Sequence, residues 1–145
     1  MAAERRAQVT WHGDLMSGRG TIDSVGSGVL SGLDVTWASR SEEREGGKTS
    51  PEELIAAAHA ACFSMALSHG LAQAGTPPDQ LSTSAQTTFV PGTGITRVAL
   101  TVEGRVPGVD DEGFRSAAEG AKENCPVSKA LAGNVEITLD ARLSS

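Results

Sequence analysis

Residues 50–74, SPEELIAAAHAACFSMALSHGLAQA, predict one long helix that decides the fold of this chain. Ser50 can cap the first turn, Pro51 suits the first helical position, and Glu53 completes a capping box. The helix should end near Gly75, because glycine commonly terminates helices and two prolines follow it. Both ends of this element are therefore marked in the sequence.

The same helix is apolar around its whole circumference. Between residues 54 and 67 only His59 and Ser64 are clearly polar, and a helix of this kind is buried on all sides. The apolar run is short for a membrane span and contains a histidine, so we expect no membrane insertion. A lone chain of 145 residues would struggle to cover this helix, so we expect either a sheet folded around it or a partner subunit.

Short strands are predicted on both sides of the helix. Alternating polarity, together with glycines at the ends of segments, predicts strands and helices before and after the long helix. These are strands over residues 7–11, 20–25, 33–39, 82–90, 95–106 and 135–143, and helices over residues 110–122 and 127–131. Residues 40–49, which are charged and contain glycines, are typical of a mobile loop. The order β-β-β-α-β-β-α-α-β is an α+β arrangement.

The chain is expected to form one domain. It would have N-terminal strands over residues 7–39, a central helix over 50–75, and C-terminal strands and helices over 82–143. The net charge of -6 disfavours nucleic acid or an anionic membrane as a partner. The polar N-terminus lacks the apolar core of a signal peptide, so we expect a cytoplasmic location. There, a pair of cysteines more often serves catalysis, redox sensing or metal binding than structural bridging.

Cys62 and Cys125 are the two cysteines of the sequence. Burial in mid-helix should raise the pKa of Cys62 and make it inert, unless a cation lies near. The candidate cations are Arg19, Arg40 and Arg44. Cys125 stands in a Cys-Pro step at the start of a short helix, where backbone N–H groups favour a thiolate. Either cysteine could instead be structural, the first as a small buried hydrophobe and the second as a helix cap.

Two polar residues of the long helix have alternative interpretations. Glu52 can stabilise the helix dipole from the first turn, or it can hold an arginine through a bidentate pair. His59 shares a helix face with Cys62, and with Cys125 these residues could form part of a metal site. Because no fourth ligand is evident, we expect His59 to be a hydrogen-bonded histidine at a helix contact. We expect no metal and no cofactor.

Two motifs in the chain resemble the OsmC/Ohr family of thiol-dependent peroxidases, and within it the OsmC branch. They are SPEELIAAAHAACFSMALS at residues 50–68 and AKENCPVSKAL at residues 121–131. The segments WHGDLMSGRGTI, VPGVD and VEITLDARL also resemble that branch. The similarity extends over nearly the whole chain.

The resemblance implies an intertwined homodimer in which two central helices are wrapped by sheets from both subunits. It also implies reduction of organic hydroperoxides, and to some degree hydrogen peroxide, with an external dithiol such as a protein-bound dihydrolipoyl group as reductant. Apolar residues near the reactive thiol, such as Phe63 and Met65, would then favour hydrophobic peroxides or simply pack in the core. The competing class is a non-enzymatic redox sensor or binding protein that uses the same disulfide to change shape.

The resemblance assigns roles to particular residues. Cys62 matches the peroxidatic cysteine, Cys125 the resolving cysteine and Glu52 the glutamate of the family. Arg40 matches the arginine of the OsmC branch, which lies in the strand that leads to the helix. The chain is slightly longer than the branch pattern here and contains the second arginine, Arg44, whereas the Ohr branch takes its arginine from an early hairpin, near Arg19.

Overall fold

The protein, seen in a computed structural model that describes residues 1–42 and 46–144, consists of two compact units, Met1–Leu54 and Ile55–Ser145. Each unit contains a three-stranded sheet. The elements in chain order are β1 (Ala7–His12), β2 (Arg19–Val25), β3 (Leu33–Val35), α1 (Trp37–Ser41), α2 (Pro51–Gln73), β4 (Gln80–Val90), β5 (Gly94–Arg105), α3 (Asp111–Asn124), α4 (Pro126–Leu131) and β6 (Glu136–Leu143). All the predicted elements are present, and one helix, α1, was not predicted.

The N-terminal unit contains the antiparallel sheet β1-β2-β3. Gly20 in β2 is required by close packing, because a Cβ atom there would lie 2.8 Å from the Trp11 ring and 3.0 Å from Val35. The strand predicted over residues 33–39 is too long, since β3 ends at Val35. The Thr36 hydroxyl accepts a hydrogen bond from the Ser39 backbone N–H at 3.0 Å and starts a new helix.

This short helix corrects the prediction for Arg40. The residue lies in the last turn of α1 and not in a strand or in the loop predicted over residues 40–49. The loop itself falls partly outside the described residues. The Ser39 hydroxyl also donates to the Thr49 carbonyl at 2.8 Å, which ties α1 to the segment that enters α2.

The long helix α2 begins and ends as predicted. The Ser50 hydroxyl accepts from the Glu53 N–H at 3.1 Å, while the Glu53 carboxylate accepts from the Thr49 hydroxyl at 2.8 Å. At the other end Gly75 takes a φ of 87°, a left-handed conformation that glycine adopts without strain. These local interactions fix the length of the helix from both sides.

In the C-terminal unit β4 and β5 form the predicted hairpin, and β6 pairs parallel to β5. Alternate residues of β5 face the core, where they meet apolar residues of α2 and α3. The fully buried core side chains include Phe63, Leu67, Val98, Leu100, Val102, Phe114 and Ala118. The apolar faces of α3 and β6 point into this core. Gly104 is required here, because a Cβ atom would lie 2.5 Å from the Phe114 ring.

Within this unit α2 is only partly covered. The side chains of His59, Phe63, Leu67 and Leu71 form one buried stripe with a spacing of four residues. Other apolar positions lie exposed, and Met65 is 72% accessible. Among the described residues α2 therefore has both a buried stripe and exposed apolar positions.

By length and composition alone, α2, with 23 residues, could cross a membrane. The shortness of the apolar run is therefore not an argument against a membrane span. The buried side chains of Glu52 and His59, which hydrogen bond to Arg40 and Ser128, are instead typical of a helix in a protein core.

Candidate active site

The two cysteines of the chain lie in contact. Cys62, in the middle of α2, and Cys125, between α3 and α4, pack in the same hydrophobic core, each thiol shifts the pKa of the other, and both are free thiols. Cys125 is fully buried and Cys62 is partly exposed. The fold thus brings together two side chains that are far apart in the sequence.

The position of Cys125 follows from the break between two helices. Its backbone N–H donates to the Ala121 carbonyl at 2.9 Å and ends α3, while Pro126 is the first residue of α4. Burial raises the pKa of this thiol. Hydrogen bonds from Cys62, from the Ser128 N–H and hydroxyl and from the Val127 N–H outweigh burial, so the pKa of Cys125 lies below its usual value. Cys125 therefore lies at the helix start predicted from the Cys-Pro step, and its pKa is lowered there.

The pKa of Cys62 shifts in the opposite direction. Burial raises it, the hydrogen bond with Cys125 raises it further, and a hydrogen bond from the Val127 N–H offsets only part of the increase. This agrees with the expectation that a mid-helix thiol is not reactive by itself. A cation is needed to favour the Cys62 thiolate.

A buried histidine and serine extend the thiol pair. His59 Nε2 lies 2.7 Å from Ser128 Oγ, and both residues are almost inaccessible to solvent. Burial lowers the pKa of His59, which keeps the ring neutral. The predicted hydrogen-bonded histidine at a helix contact is confirmed. Ser128 was not predicted as a site residue. Its one signal in the sequence is its position three residues after Cys125, in the Cys-Pro-Val-Ser motif.

Arg40 and Glu52 form an ion pair in the N-terminal unit. The distance from Arg40 Nε to Glu52 Oε1 is 2.8 Å, and the side chains are 33% and 8% exposed. Glu52 Oε2 is buried without a hydrogen-bond partner among the described residues. The prediction that Glu52 holds an arginine is confirmed, but the pair uses one hydrogen bond and not the expected bidentate arrangement.

The other two candidate arginines differ from Arg40. Arg19, in β2, is 3.4 Å from Asp34 and its side chain is 66% exposed. Arg44 lies outside the described residues. Among the arginines that the structure places, Arg40 is the one paired with Glu52.

The remaining candidates belong to the core or to the surface. Phe63 is a fully buried core residue, so the packing interpretation holds for it, whereas Met65 is exposed. Within residues 1–42 and 46–144, no group of three or more His, Cys, Asp or Glu side chains is placed to hold a metal ion. The structure thus places two free thiols, Cys62 and Cys125, and the bonded pair His59 and Ser128 in one core.

Comparison with known proteins identifies the family. The family model described as OsmC-like protein matches residues 44–140. The peroxiredoxin OsmC of Escherichia coli (strain K12) is 44% identical over 148 residues, which cover 100% of this chain and 100% of that protein. The chain therefore belongs to the OsmC family, and the resemblance seen in its motifs is confirmed.

Relatives of the organic hydroperoxide resistance type share the fold. OhrB of Bacillus subtilis (strain 168) is 30% identical over 137 residues, 94% of this chain and 96% of that protein, and its crystal structure has a TM-score of 0.65. The crystal structure of an organic hydroperoxide resistance protein from Elizabethkingia anophelis has a TM-score of 0.70 at 26% identity and covers 100% of this chain and 99% of its own. The predicted α+β, OsmC-like fold class is therefore confirmed.

Proposed function

We propose that this protein is a thiol-dependent peroxidase that reduces organic hydroperoxides, and hydrogen peroxide, to alcohols or water in defence against oxidative and osmotic stress. The observation that carries the proposal is the pair of free thiols, Cys62 and Cys125, which pack in the same core. Relatives matched over most or all of the chain are a peroxiredoxin OsmC and an organic hydroperoxide resistance protein. Thiol chemistry of this kind needs no metal or cofactor.

In the first half-reaction the Cys62 thiolate attacks the distal oxygen of the peroxide. A sulfur–oxygen bond forms, the O–O bond breaks, and the leaving alkoxide or hydroxide takes up a proton. Cys62 becomes a sulfenic acid. The surroundings of Cys62 raise the pKa of its thiol. We therefore propose that the Arg40 guanidinium is the cation that favours the Cys62 thiolate and stabilises charge on the leaving oxygen.

Glu52 is assigned the role of orienting that arginine. Its nearly buried carboxylate fixes the guanidinium through the Nε hydrogen bond. The family resemblance and this ion pair support the assignment. Arg19, which pairs with Asp34 on an exposed strand, is the alternative, together with Arg44.

In the second half-reaction Cys125 attacks the sulfur of the Cys62 sulfenic acid. A disulfide forms and water leaves, which protects Cys62 from further oxidation. An external dithiol then reduces the disulfide by thiol–disulfide exchange. We propose a protein-bound dihydrolipoyl group as this reductant.

We further propose that the whole chain, residues 1–145, is one OsmC-like domain that works as a homodimer in the cytoplasm, with no nucleic acid or membrane as partner. The uncovered face of α2, which includes Ala57, Ala58, Ala61 and Met65, supports the dimer, because a second copy could bury it. An intertwined arrangement around paired α2 helices would bury this face in both subunits at once.

The test is steady-state consumption of cumene hydroperoxide and of hydrogen peroxide, with dihydrolipoamide as reductant. Wild type should turn over both, Cys62→Ser should be inactive but folded, and Cys125→Ser should react once and then accumulate sulfenic or sulfinic acid at Cys62. Turnover by both variants would contradict the mechanism. A wild type that forms the disulfide but does not turn over with dithiols would favour the redox sensor.

A further inference from the structure

The mechanism above gives no role to the buried residues His59 and Ser128, yet both lie close to Cys125. Ser128 lies in α4, three residues after the buried Cys125, and its N–H and hydroxyl lower the pKa of that thiol. His59, on the opposite helix α2, contacts the same hydroxyl at 2.7 Å. A buried polar pair of this kind is costly unless its hydrogen bonds are satisfied, and here the chain of bonds leads to a reacting atom.

The protons in this chain can be assigned from the bonds. The Ser128 hydroxyl has one proton; when that proton points toward the sulfur, the hydroxyl oxygen accepts the proton of His59 Nε2–H. His59 Nδ1 then carries a lone pair, in agreement with the lack of any partner for this atom among the described residues. The result is a neutral donor chain from the imidazole through the hydroxyl to the thiolate.

We propose that His59 is a positioning residue for the resolving cysteine, because it holds the Ser128 hydroxyl as a donor to Cys125 and so prepares that sulfur for attack on the oxidised Cys62. The proposal rests on the proposed peroxidase function. Among the titratable side chains, Cys62 packs in the same core as Cys125 and shifts its pKa. The donor chain therefore acts on Cys125 from the side of α4 and α2.

The step that this arrangement serves is balanced within the protein. The Cys125 thiolate supplies the electron pair of the new S–S bond, while the S–O bond of the Cys62 sulfenic acid breaks. The oxygen leaves as hydroxide and combines with the proton that Cys125 had lost, so one water molecule forms. Cys125 is oxidised and the Cys62 sulfur is reduced, so no further oxidant is required.

The first test needs no peroxide. In a Cys62→Ser background, the thiolate absorbance of Cys125 is titrated with His59 and Ser128 intact and in Ser128→Ala, His59→Leu and His59→Gln. Loss of a hydrogen bond to a charged group should raise the apparent pKa by about one to two pH units in Ser128→Ala and His59→Leu. His59→Gln should restore the parent value, since its amide N–H2 stands in the place of Nε2. Unchanged titration in both Ser128→Ala and His59→Leu would overturn the proposal.

The second test follows disulfide formation after one equivalent of cumene hydroperoxide in protein with both cysteines. Ser128→Ala and His59→Leu should form the disulfide about tenfold more slowly or slower still, and should accumulate more Cys62 sulfinic acid at excess peroxide. Ser64→Ala is the matched control, since Ser64 lies on the same helix and bonds to Ala60 and Thr83 instead. Its rates should equal those of wild type.

The two tests distinguish failure of the proposed peroxidase function from failure of the proposed role of His59. If wild type forms no sulfenic acid, the peroxidase function fails, and the peroxide-free titration still decides whether His59 and Ser128 act on Cys125. If His59→Gln behaves like His59→Leu in both tests, the histidine contributes packing and not a positioned donor, and the proposal is wrong. If His59→Leu does not fold, Ser128→Ala, which is a smaller change, still tests the proposal.

Discussion

Replacement of Arg40 by methionine should destabilise the protein more than replacement of its partner Glu52 by glutamine. Arg40→Met leaves the Glu52 carboxylate, which is 8% exposed, without the guanidinium at 2.8 Å. Glu52→Gln leaves a neutral carbonyl oxygen that can still accept from Arg40 Nε. The asymmetry arises because a buried charge without a partner costs more than a weakened hydrogen bond.

The magnitudes follow from burial. Removing one partner of a fully buried ion pair costs about 3–5 kcal/mol. The Arg40 side chain is 33% exposed, so water offsets part of this cost, and we expect about 2–3 kcal/mol for Arg40→Met. Glu52→Gln should cost about 1–2 kcal/mol, because a charge-assisted bond becomes a neutral one. The double variant carries no buried charge and should be about as stable as Arg40→Met or more stable.

The assay is urea unfolding of the four proteins at one fixed protein concentration, since dimerisation would shift apparent stability. The sum of the two single effects should exceed the effect of the double variant by about 1–2 kcal/mol. The Asp140–Arg142 pair, with a similar distance of 2.6 Å but exposed side chains, is the matched control and should show no measurable coupling. Additive effects at Arg40 and Glu52 would refute the reasoning, because they would show that the carboxylate does not depend on the guanidinium.

Three further predictions follow from other parts of the structure. Gly104→Ala should lower the free energy of unfolding by about 1–3 kcal/mol in urea, because the new methyl group overlaps the Phe114 ring; equal stability would show that the ring can move. Met65→Glu should convert the proposed dimer to monomer in light scattering, and a monomeric wild type would contradict the dimer. Burial lowers the folded-state pKa of His59, so the unfolded chain binds a proton first as pH falls. Stability should therefore be full above about pH 6.5 and decline below it, and His59→Gln should flatten that decline in unfolding at several pH values.

The features that the sequence predicts well are those with local causes. The start of α2 depends on Ser50, Pro51 and Glu53, which are neighbours in the chain, and the buried face of β6 follows from simple alternation. Helix α1 was missed because its five residues depend on hydrogen bonds between Thr36 and Ser39, a weaker signal than a Ser-x-x-Glu box.

The site is predictable to a similar degree. The reactive residue types, the Cys-Pro step and the family motifs of the sequence are enough to point to Cys62, Cys125, Arg40 and Glu52. Ser128 could not be found in this way. Its bond to His59 joins residues 69 positions apart and depends on how α4 packs against α2, which no local pattern encodes. For the same reason the sequence could not say that Glu52 would use one oxygen and leave the other unpaired.

The opposite pKa shifts of the two cysteines also impose an order on the proposed reaction. In the C-terminal unit the pKa of Cys125 is lowered and that of Cys62 is raised. A positive charge beside Cys62 would favour its thiolate and leave the proton on Cys125. Once Cys62 has become a sulfenic acid it no longer competes for that proton. The donors around Cys125 then favour its thiolate, so attack on the peroxide has to precede resolution.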